Sequence, residues 1–119
     1  MKKQIDKLCD TYNIEDVEKH IFNSYIINNE IETESSGILK KYFSSFRLNQ
    51  KLLDDVNELE INSFVDLEKS QELLIPKEDR KVNGTFFTPR NIVDKIIEEV
   101  QPKNNDLCSD ISCGCGSFL

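Results

Sequence analysis

Residues 110–119 read Asp-Ile-Ser-Cys-Gly-Cys-Gly-Ser-Phe-Leu, and this stretch decides the fold. The segment 106–111 predicts a short strand, and Gly114 and Gly116 then predict a tight turn. Glycine allows the backbone to adopt a positive φ and to approach a ligand closely. Cofactors in open α/β sheets bind at the carboxyl ends of strands. The stretch therefore predicts the opening of a nucleotide-type pocket, although Leu119 stands where the dinucleotide pattern G-x-G-x-x-G needs its third glycine.

An amphipathic helix precedes the predicted strand. Thr88 and Pro89 predict its start, because a threonine hydroxyl caps a helix and proline suits the first helical position. Pro102 ends it. Its apolar face comprises Ile92, Val93, Ile96, Ile97 and Val100, and its charged face comprises Asp94, Lys95, Glu98 and Glu99. The order of helix, strand and glycine turn predicts the beginning of an α/β domain.

Residues 1–75 predict a string of helices. Val17, Ile21 and Tyr25 recur every four residues and predict a helix from about 15 to 31. Three more apolar stripes follow, formed by Leu39, Tyr42, Phe43 and Phe46, by Leu52, Val56 and Leu59, and by Phe64, Leu67 and Leu74, with Ser63 as the N-cap of the last. The charged segment 76–83 predicts a linker or exposed loop ahead of residues 84–119.

The composition limits the class of protein. A chain of 119 residues has room for one domain, or for a small domain and part of another. No apolar run approaches the roughly 20 residues of a membrane span, and no secretory signal follows Met1, so we expect a cytoplasmic protein. Residues 1–79 carry 10 Lys and Arg against 17 Asp and Glu, and residues 80–119 carry 5 against 5. Neither part has the basic surplus of a main DNA-binding surface.

The cysteines and the single histidine offer alternative sites. Three of the four cysteines, Cys108, Cys113 and Cys115, lie within eight residues, and Cys9 lies apart from them. Their spacing matches no usual paired zinc arrangement, so we expect free thiols in a reducing compartment and no metal. His20 lies beside an apolar helical stripe, and we expect a partly exposed surface histidine there, not a catalytic base.

Two motifs together resemble a known family. The string G-T-F-F-T-P at 84–89, followed by a helix, a strand and D-I-S-C-G-C-G-S-F-L, resembles the adenine-specific DNA methyltransferases of restriction–modification systems, which use S-adenosylmethionine. That family pairs G-x-[FY]-[YF]-T-P with D-P-x-[CA]-G-[ST]-G-x-F-L at about this separation. The resemblance covers about residues 82–119 and says nothing direct about residues 1–75.

The resemblance implies a cofactor site. Residues 86–89 would hold the methionine end of S-adenosylmethionine, and Asp110 with the glycine turn would lie beneath the methionine and ribose. Two positions depart from the family pattern: Ile111 replaces its proline, and Cys115 replaces its serine or threonine. The residues implied to bind the cofactor are Phe86, Phe87, Thr88, Pro89, Asp110, Cys113, Gly114, Cys115 and Gly116.

The expected architecture is α/β: a helical N-terminal segment followed by the truncated start of a Rossmann-like methyltransferase domain, mostly α in this chain. The family's [DNS]-P-P-[YF] segment, which contacts the flipped target base, does not occur among these residues. We therefore expect this chain alone to be inactive. The expected partners are DNA, bound through regions outside this chain, and subunits of a restriction system, with no membrane.

Other interpretations stay open at this point. The chain could be a non-enzymatic helical interaction module or a decayed methyltransferase remnant. The acceptor could also be a cytosine amine or a protein glutamine. If the helix that begins near residue 89 lacks the sheet it should cover, its apolar face would promote association.

Overall fold

The computed structural model describes residues 1–33, 37–76, 78–79, 82, 87–111, 113–114 and 117–118. The chain divides into two compact units, an N-terminal unit of residues 1–76 and a C-terminal unit of residues 77–119. The helices of the described residues are α1 (Lys2–Thr11), α2 (Ile14–Asn28), α3 (Gly37–Tyr42), α4 (Gln50–Asn57), α5 (Phe64–Leu74) and α6 (Arg90–Val100). None of these helices combines the length and apolar character that a membrane span requires.

The core of the N-terminal unit forms where four helices meet. Helix α2 packs against α1, α4 and α5, and α1 also packs against α5. Helix α1 contributes two core residues although its periodicity did not single it out. The buried apolar side chains are Ile5, Leu8, Val17, Ile21, Leu52, Val56, Leu59, Ile61, Leu67 and Leu74. Burial of such side chains is the main source of stability in a unit of this size.

Polar side chains cap three of these helices. The side-chain Oδ1 atom of Asn13 accepts the backbone amide of Glu15 at 2.8 Å at the start of α2. The predicted N-cap at Ser63 is confirmed: its hydroxyl accepts the Asp66 amide at 3.1 Å, and the Asp66 carboxylate accepts the Ser63 amide at 3.1 Å. This reciprocal pair is a capping box, which satisfies amide groups that the first turn leaves without partners. The hydrogen bond from the Ser63 hydroxyl lowers the pKa of Asp66, and the backbone amides of Ser63 and Asn62 act in the same direction.

Non-glycine residues with positive φ follow three helices. Glu30 follows α2 with φ 52°, Glu60 follows α4 with φ 52°, and Gln101 ends α6 with φ 48°. The left-handed conformation allows a chain to leave a helix sharply, and glycine is the residue that adopts it most easily. These three helix ends therefore hold residues with a Cβ in a conformation that costs them energy.

Aromatic rings attach the α3 region to α2. Tyr42 lies 5.8 Å from Phe22 of α2 and 5.0 Å from Phe43, measured between ring centroids. Phe46 lies 5.5 Å from Phe43 and 4.9 Å from the His20 ring. Offset and edge-to-face geometries of this kind stabilise aromatic packing. The predicted stripe of Leu39, Tyr42, Phe43 and Phe46 thus extends past the end of the short α3.

The expectation of a partly exposed His20 is wrong. Its side chain lies in α2 and is only 2 % exposed. The Nε2 atom accepts the amide of Asn49 at 2.9 Å, so the proton of the neutral ring is on Nδ1, which donates to the Asp16 carbonyl at 2.7 Å. His20 therefore joins α2 to the residue that caps α4. The apolar stripe alone gave no sign of this bond, because its partner lies 29 residues away.

The described residues confirm a mostly helical chain and correct one element. The predicted strand over residues 106–111 is wrong, since residues 106–110 have no regular structure and Ile111 lies in a turn. A strand needs a neighbour to pair its backbone groups, and no other strand exists in the described parts of the chain. In the segment predicted as a linker, Glu78, Asp79 and Val82 are helical and exposed. The Rossmann-like topology stays a prediction.

Candidate cofactor-binding site

The start of α6 differs by one residue from the predicted start. Pro89, not Thr88, is the N-cap, and its ψ of 138° keeps it outside the helix. The Pro89 carbonyl accepts the amides of Ile92 at 2.8 Å and Val93 at 3.1 Å. Proline can hold this position because its fixed φ near −65° suits an extended residue as well as a helical one. Thr88 is exposed and does not cap the helix through its side chain, so its predicted capping role is wrong.

Arg90 connects the first turn of α6 to the glycine turn. Its Nη1 atom donates to the Ser117 carbonyl at 3.2 Å, and its Nε atom pairs with Asp94 at 3.0 Å. Arg90 lies two residues after Thr88, and Ser117 lies three residues after Gly114. The hydrogen bond therefore brings the neighbourhoods of the two predicted motifs together within the C-terminal unit.

Sequence reasoning missed both members of this pair. The sequence did contain one signal of a contact at the start of α6. A basic residue in the first turn is repelled by the positive end of the helix dipole, so it needs a compensating contact or ligand. Arg90 is the basic residue in that position. Ser117 gave no signal, yet it is 7 % exposed, and it is one of two buried residues in the described part of this unit, with Val93.

An apolar groove of about 460 Å³ borders Asp110. Its walls come from the second half of α6, from residues 108–111 and from Phe118. The lining residues are Ile96, Ile97, Val100, Pro102, Cys108, Ser109, Asp110, Ile111 and Phe118. Asp110 supplies the one carboxylate among them. The volume of the groove lies in the range of small-molecule sites, which combine apolar walls with a few polar groups.

Gly114 has the backbone geometry that the glycine motif predicts. Gly114 has φ +56°, and a Cβ placed there would meet no atom within 4 Å. The left-handed conformation and the open space together leave the Gly114 backbone accessible to a ligand. Cys113 is exposed, and its thiol lies 3.8 Å from the Gly114 carbonyl.

The remaining predicted site residues differ in how the structure places them. Phe87 is half-buried, and Thr88 and Pro89 are exposed at the start of α6. None of these three lines the groove beside Asp110, and neither does Cys113 or Gly114. Phe86, Cys115 and Gly116 lie outside the described residues.

The thiols and carboxylates do not converge in the described residues. Cys9, Cys108 and Cys113 are free cysteines. Among the residues that the structure describes, no three His, Cys, Asp or Glu side chains cluster closely enough to hold a metal ion. Burial raises the pKa of the Cys9 thiol, and the Asp6 and Asp10 carboxylates raise it further. Cys9 therefore stays protonated at neutral pH.

A comparison with known families finds a match in the C-terminal part of the chain. Residues 72–119 match the family model described as N-6 DNA methylase, and this match includes both motif regions and α6. Neither a curated protein nor a solved structure shows a significant match to the chain. Residues 72–119 are therefore similar to N6 DNA methyltransferases, which confirms the prediction of a methyltransferase-related region.

Proposed function

We propose that residues 72–119 form part of the cofactor site of a site-specific adenine DNA methyltransferase of a restriction–modification system. The family match supports the methyltransferase relationship. The observation that carries the proposal is the hydrogen bond from Arg90 to the Ser117 carbonyl, because a shared cofactor site requires the start of α6 to lie beside the glycine turn.

The start of α6 suits the methionine end of the cofactor. The first amides of a helix have no partner within the helix and carry partial positive charge, so they bind carboxylates. The guanidinium of Arg90 also lies at this end, where Asp94 partly balances its charge. Thr88 is exposed and does not cap the helix, so its hydroxyl can donate to the same carboxylate.

The other end of the site has the opposite charge. S-adenosylmethionine supplies an electrophilic sulfonium methyl group to the adenine amine when it is bound. The Asp110 carboxylate would accept hydrogen bonds from the ammonium or ribose hydroxyl groups of this cofactor. The backbone of Gly114 would approach it without a Cβ between them, and the apolar groove beside Asp110 would exclude water from the nucleoside.

The proposal assigns cofactor binding, and not methyl transfer, to these 119 residues. The [DNS]-P-P-[YF] segment that holds the target base in the family does not occur among them. We propose that other regions of the enzyme, or its restriction-system subunits, bind the DNA and position the adenine amine that accepts the methyl group. The balanced charge of residues 80–119 agrees with this, because a DNA-binding surface is usually basic.

Calorimetric titration of the full chain with S-adenosylmethionine tests the proposal. We expect saturable binding that Gly114→Ala weakens by roughly tenfold, since the new Cβ would stand on the ligand side of the turn at a positive φ. Gly37→Ala is the matched control, because Gly37 also has open space around it and lies in α3 of the N-terminal unit. Equal binding by the two variants would exclude Gly114 from the site, and no binding by the unaltered chain would exclude the proposal.

A second pair of variants tests the role of Asp110. Asp110→Asn removes a charge that a ligand ammonium would contact, and we expect binding to fall by roughly tenfold or more. Glu98→Gln removes one charge from an exposed position of α6 and should leave binding unchanged. If both variants weaken binding equally, the effect reflects net charge and not contact at the site.

A non-enzymatic interaction module is the second candidate function. It is favoured by apolar side chains that the C-terminal unit leaves in solvent, above all Leu107 and Ile111, which are almost completely exposed. Sedimentation velocity without cofactor tests it: concentration-dependent association that Leu107→Ser with Ile111→Ser abolishes would support this candidate. A monomer that binds S-adenosylmethionine would contradict it.

A further inference from the structure

Arg90 acts on the backbone that carries Phe118. Its Nη1 atom donates to the Ser117 carbonyl at 3.2 Å, and Asp94 holds the same guanidinium through Nε at 3.0 Å. The Ser117 carbonyl and the Phe118 amide belong to one planar peptide group, whose plane also contains the Phe118 Cα atom. A restraint on that carbonyl therefore restrains the point from which the Phe118 ring projects.

Phe118 depends on this restraint more than the helical wall of the groove does. Ile96, Ile97 and Val100 line the groove from α6, where the backbone hydrogen bonds of the helix fix their positions. Ser117 and Phe118 lie in a turn instead. Ser117 is only 7 % exposed, so little water is available to replace a donor lost from its carbonyl. Loss of the guanidinium donor should therefore displace the wall that Phe118 forms.

The ring of Phe118 gives the groove an aromatic face. It is the one aromatic side chain among the described residues that line the groove, and it is 36 % exposed. Aromatic rings stack on nucleic-acid bases, and removal of such a ring weakens binding of the base. Asp110 lines the same groove, and a carboxylate accepts hydrogen bonds from ribose hydroxyls. The groove therefore offers contacts to both parts of an adenine nucleoside.

We propose that Arg90 is a positioning residue for the nucleoside part of the cofactor: it holds the Ser117 carbonyl so that Phe118 packs against the adenine ring. This assignment rests on the proposed function. It differs from a direct contact between the guanidinium and the cofactor carboxylate, which would act on the methionine end alone. A neutral nucleoside without the amino-acid group separates the two roles.

The first experiment follows Phe118 without a ligand. The chain has no tryptophan, so Phe118→Trp introduces a single fluorescent reporter in the wall of the groove. In this background, Arg90→Ala should shift the emission to longer wavelength and increase quenching by acrylamide, because the ring becomes more exposed. Asp94→Ala is the matched control and should change neither, since it leaves the bond to Ser117. No difference between Arg90→Ala and Asp94→Ala would overturn the positioning role.

The second experiment follows the nucleoside. Methylthioadenosine is neutral and lacks the amino-acid group of S-adenosylmethionine. It is titrated calorimetrically into the unaltered chain, Arg90→Ala, Phe118→Ala and the double variant. We expect each single variant to bind it roughly fivefold more weakly, and the double variant to bind it no more weakly than Phe118→Ala, because the two residues act through one contact. Effects that multiply in the double variant would overturn the proposal.

A parallel titration with S-adenosylmethionine separates the remaining outcomes. Arg90→Ala should weaken the binding of both ligands by the same factor. A loss of affinity for S-adenosylmethionine alone would overturn the proposal, because the guanidinium would then act at the methionine end. Failure of the unaltered chain to bind S-adenosylmethionine would overturn the proposed function and the role of Arg90 in binding, while the fluorescence measurement would still decide whether Arg90 positions Phe118.

Discussion

Arg90 and Ser117 lie 27 positions apart and meet through one hydrogen bond of 3.2 Å. The bond joins a guanidinium in the first turn of α6 to a backbone carbonyl next to the glycine turn. Because a carbonyl acceptor belongs to the backbone, its use fixes the path of the chain at Ser117 whatever side chain stands there. The contact therefore makes the position of the glycine turn depend on Arg90.

Replacement of Arg90 tests this dependence. Arg90→Ala should loosen the glycine turn at a cost of about 1 kcal/mol, the usual contribution of a single partly exposed hydrogen bond. Hydrogen exchange measured by mass spectrometry should be faster in the peptide that contains residues 113–118. Asp94→Ala is the control, since it removes the ion pair of Arg90 and leaves the bond to Ser117. Equal acceleration in both variants would attribute the effect to the ion pair.

His20 should be a large contributor to the stability of the N-terminal unit. His20→Ala leaves the backbone amide of Asn49 without its protein acceptor and opens a cavity where the buried ring stood, so we expect a loss of about 2–4 kcal/mol. The free energy of urea unfolding measures this loss. Ile27→Ala, at an exposed position of the same helix, should change stability by less than about 0.5 kcal/mol. A loss of that small size at His20 as well would contradict the bond to α4.

The capping box of α5 should weaken in acid. The pKa of Asp66 is lowered in the folded state. Its charged form therefore stabilises the fold above the pKa of a free aspartate, which is about 4. This stabilisation is lost as the pH falls through the lower pKa of the folded state. Thermal unfolding should therefore show the unaltered chain to be more stable than Asp66→Asn at pH 6, with the difference shrinking below about pH 4. Ser63→Ala should cost about 1 kcal/mol at neutral pH. A difference that is independent of pH would show that the carboxylate charge has no part in the cap.

Local signals in the sequence predicted much of the helical architecture. The four-residue recurrence of Val17, Ile21 and Tyr25 predicted α2, although the helix ends at Asn28, before the predicted end near 31. Ser63 predicted the start of α5, and the apolar face with Pro102 after it predicted α6. These signals succeed because helix caps and amphipathic faces depend on residues within a few positions of each other.

The features that the sequence did not predict depend on distant partners. The burial of His20 follows from Asn49, and the contact of Arg90 follows from Ser117. The strand predicted at 106–111 failed for the same reason, since a short segment that ends near an acidic residue cannot supply a neighbouring strand. The glycine motif predicted the positive φ of Gly114, because this property belongs to a single residue.

Substitution of the left-handed residues Glu30, Glu60 and Gln101 should raise the thermal stability of the chain. Glycine at each position would relieve a steric clash of about 1 kcal/mol, partly offset by the greater freedom that glycine gives the unfolded chain. The variant Glu30→Gly with Glu60→Gly and Gln101→Gly should melt a few degrees higher in calorimetry. None of the three positions lies in the groove or the glycine turn. Such a variant would therefore be a more stable protein for co-crystallisation with the methyl donor.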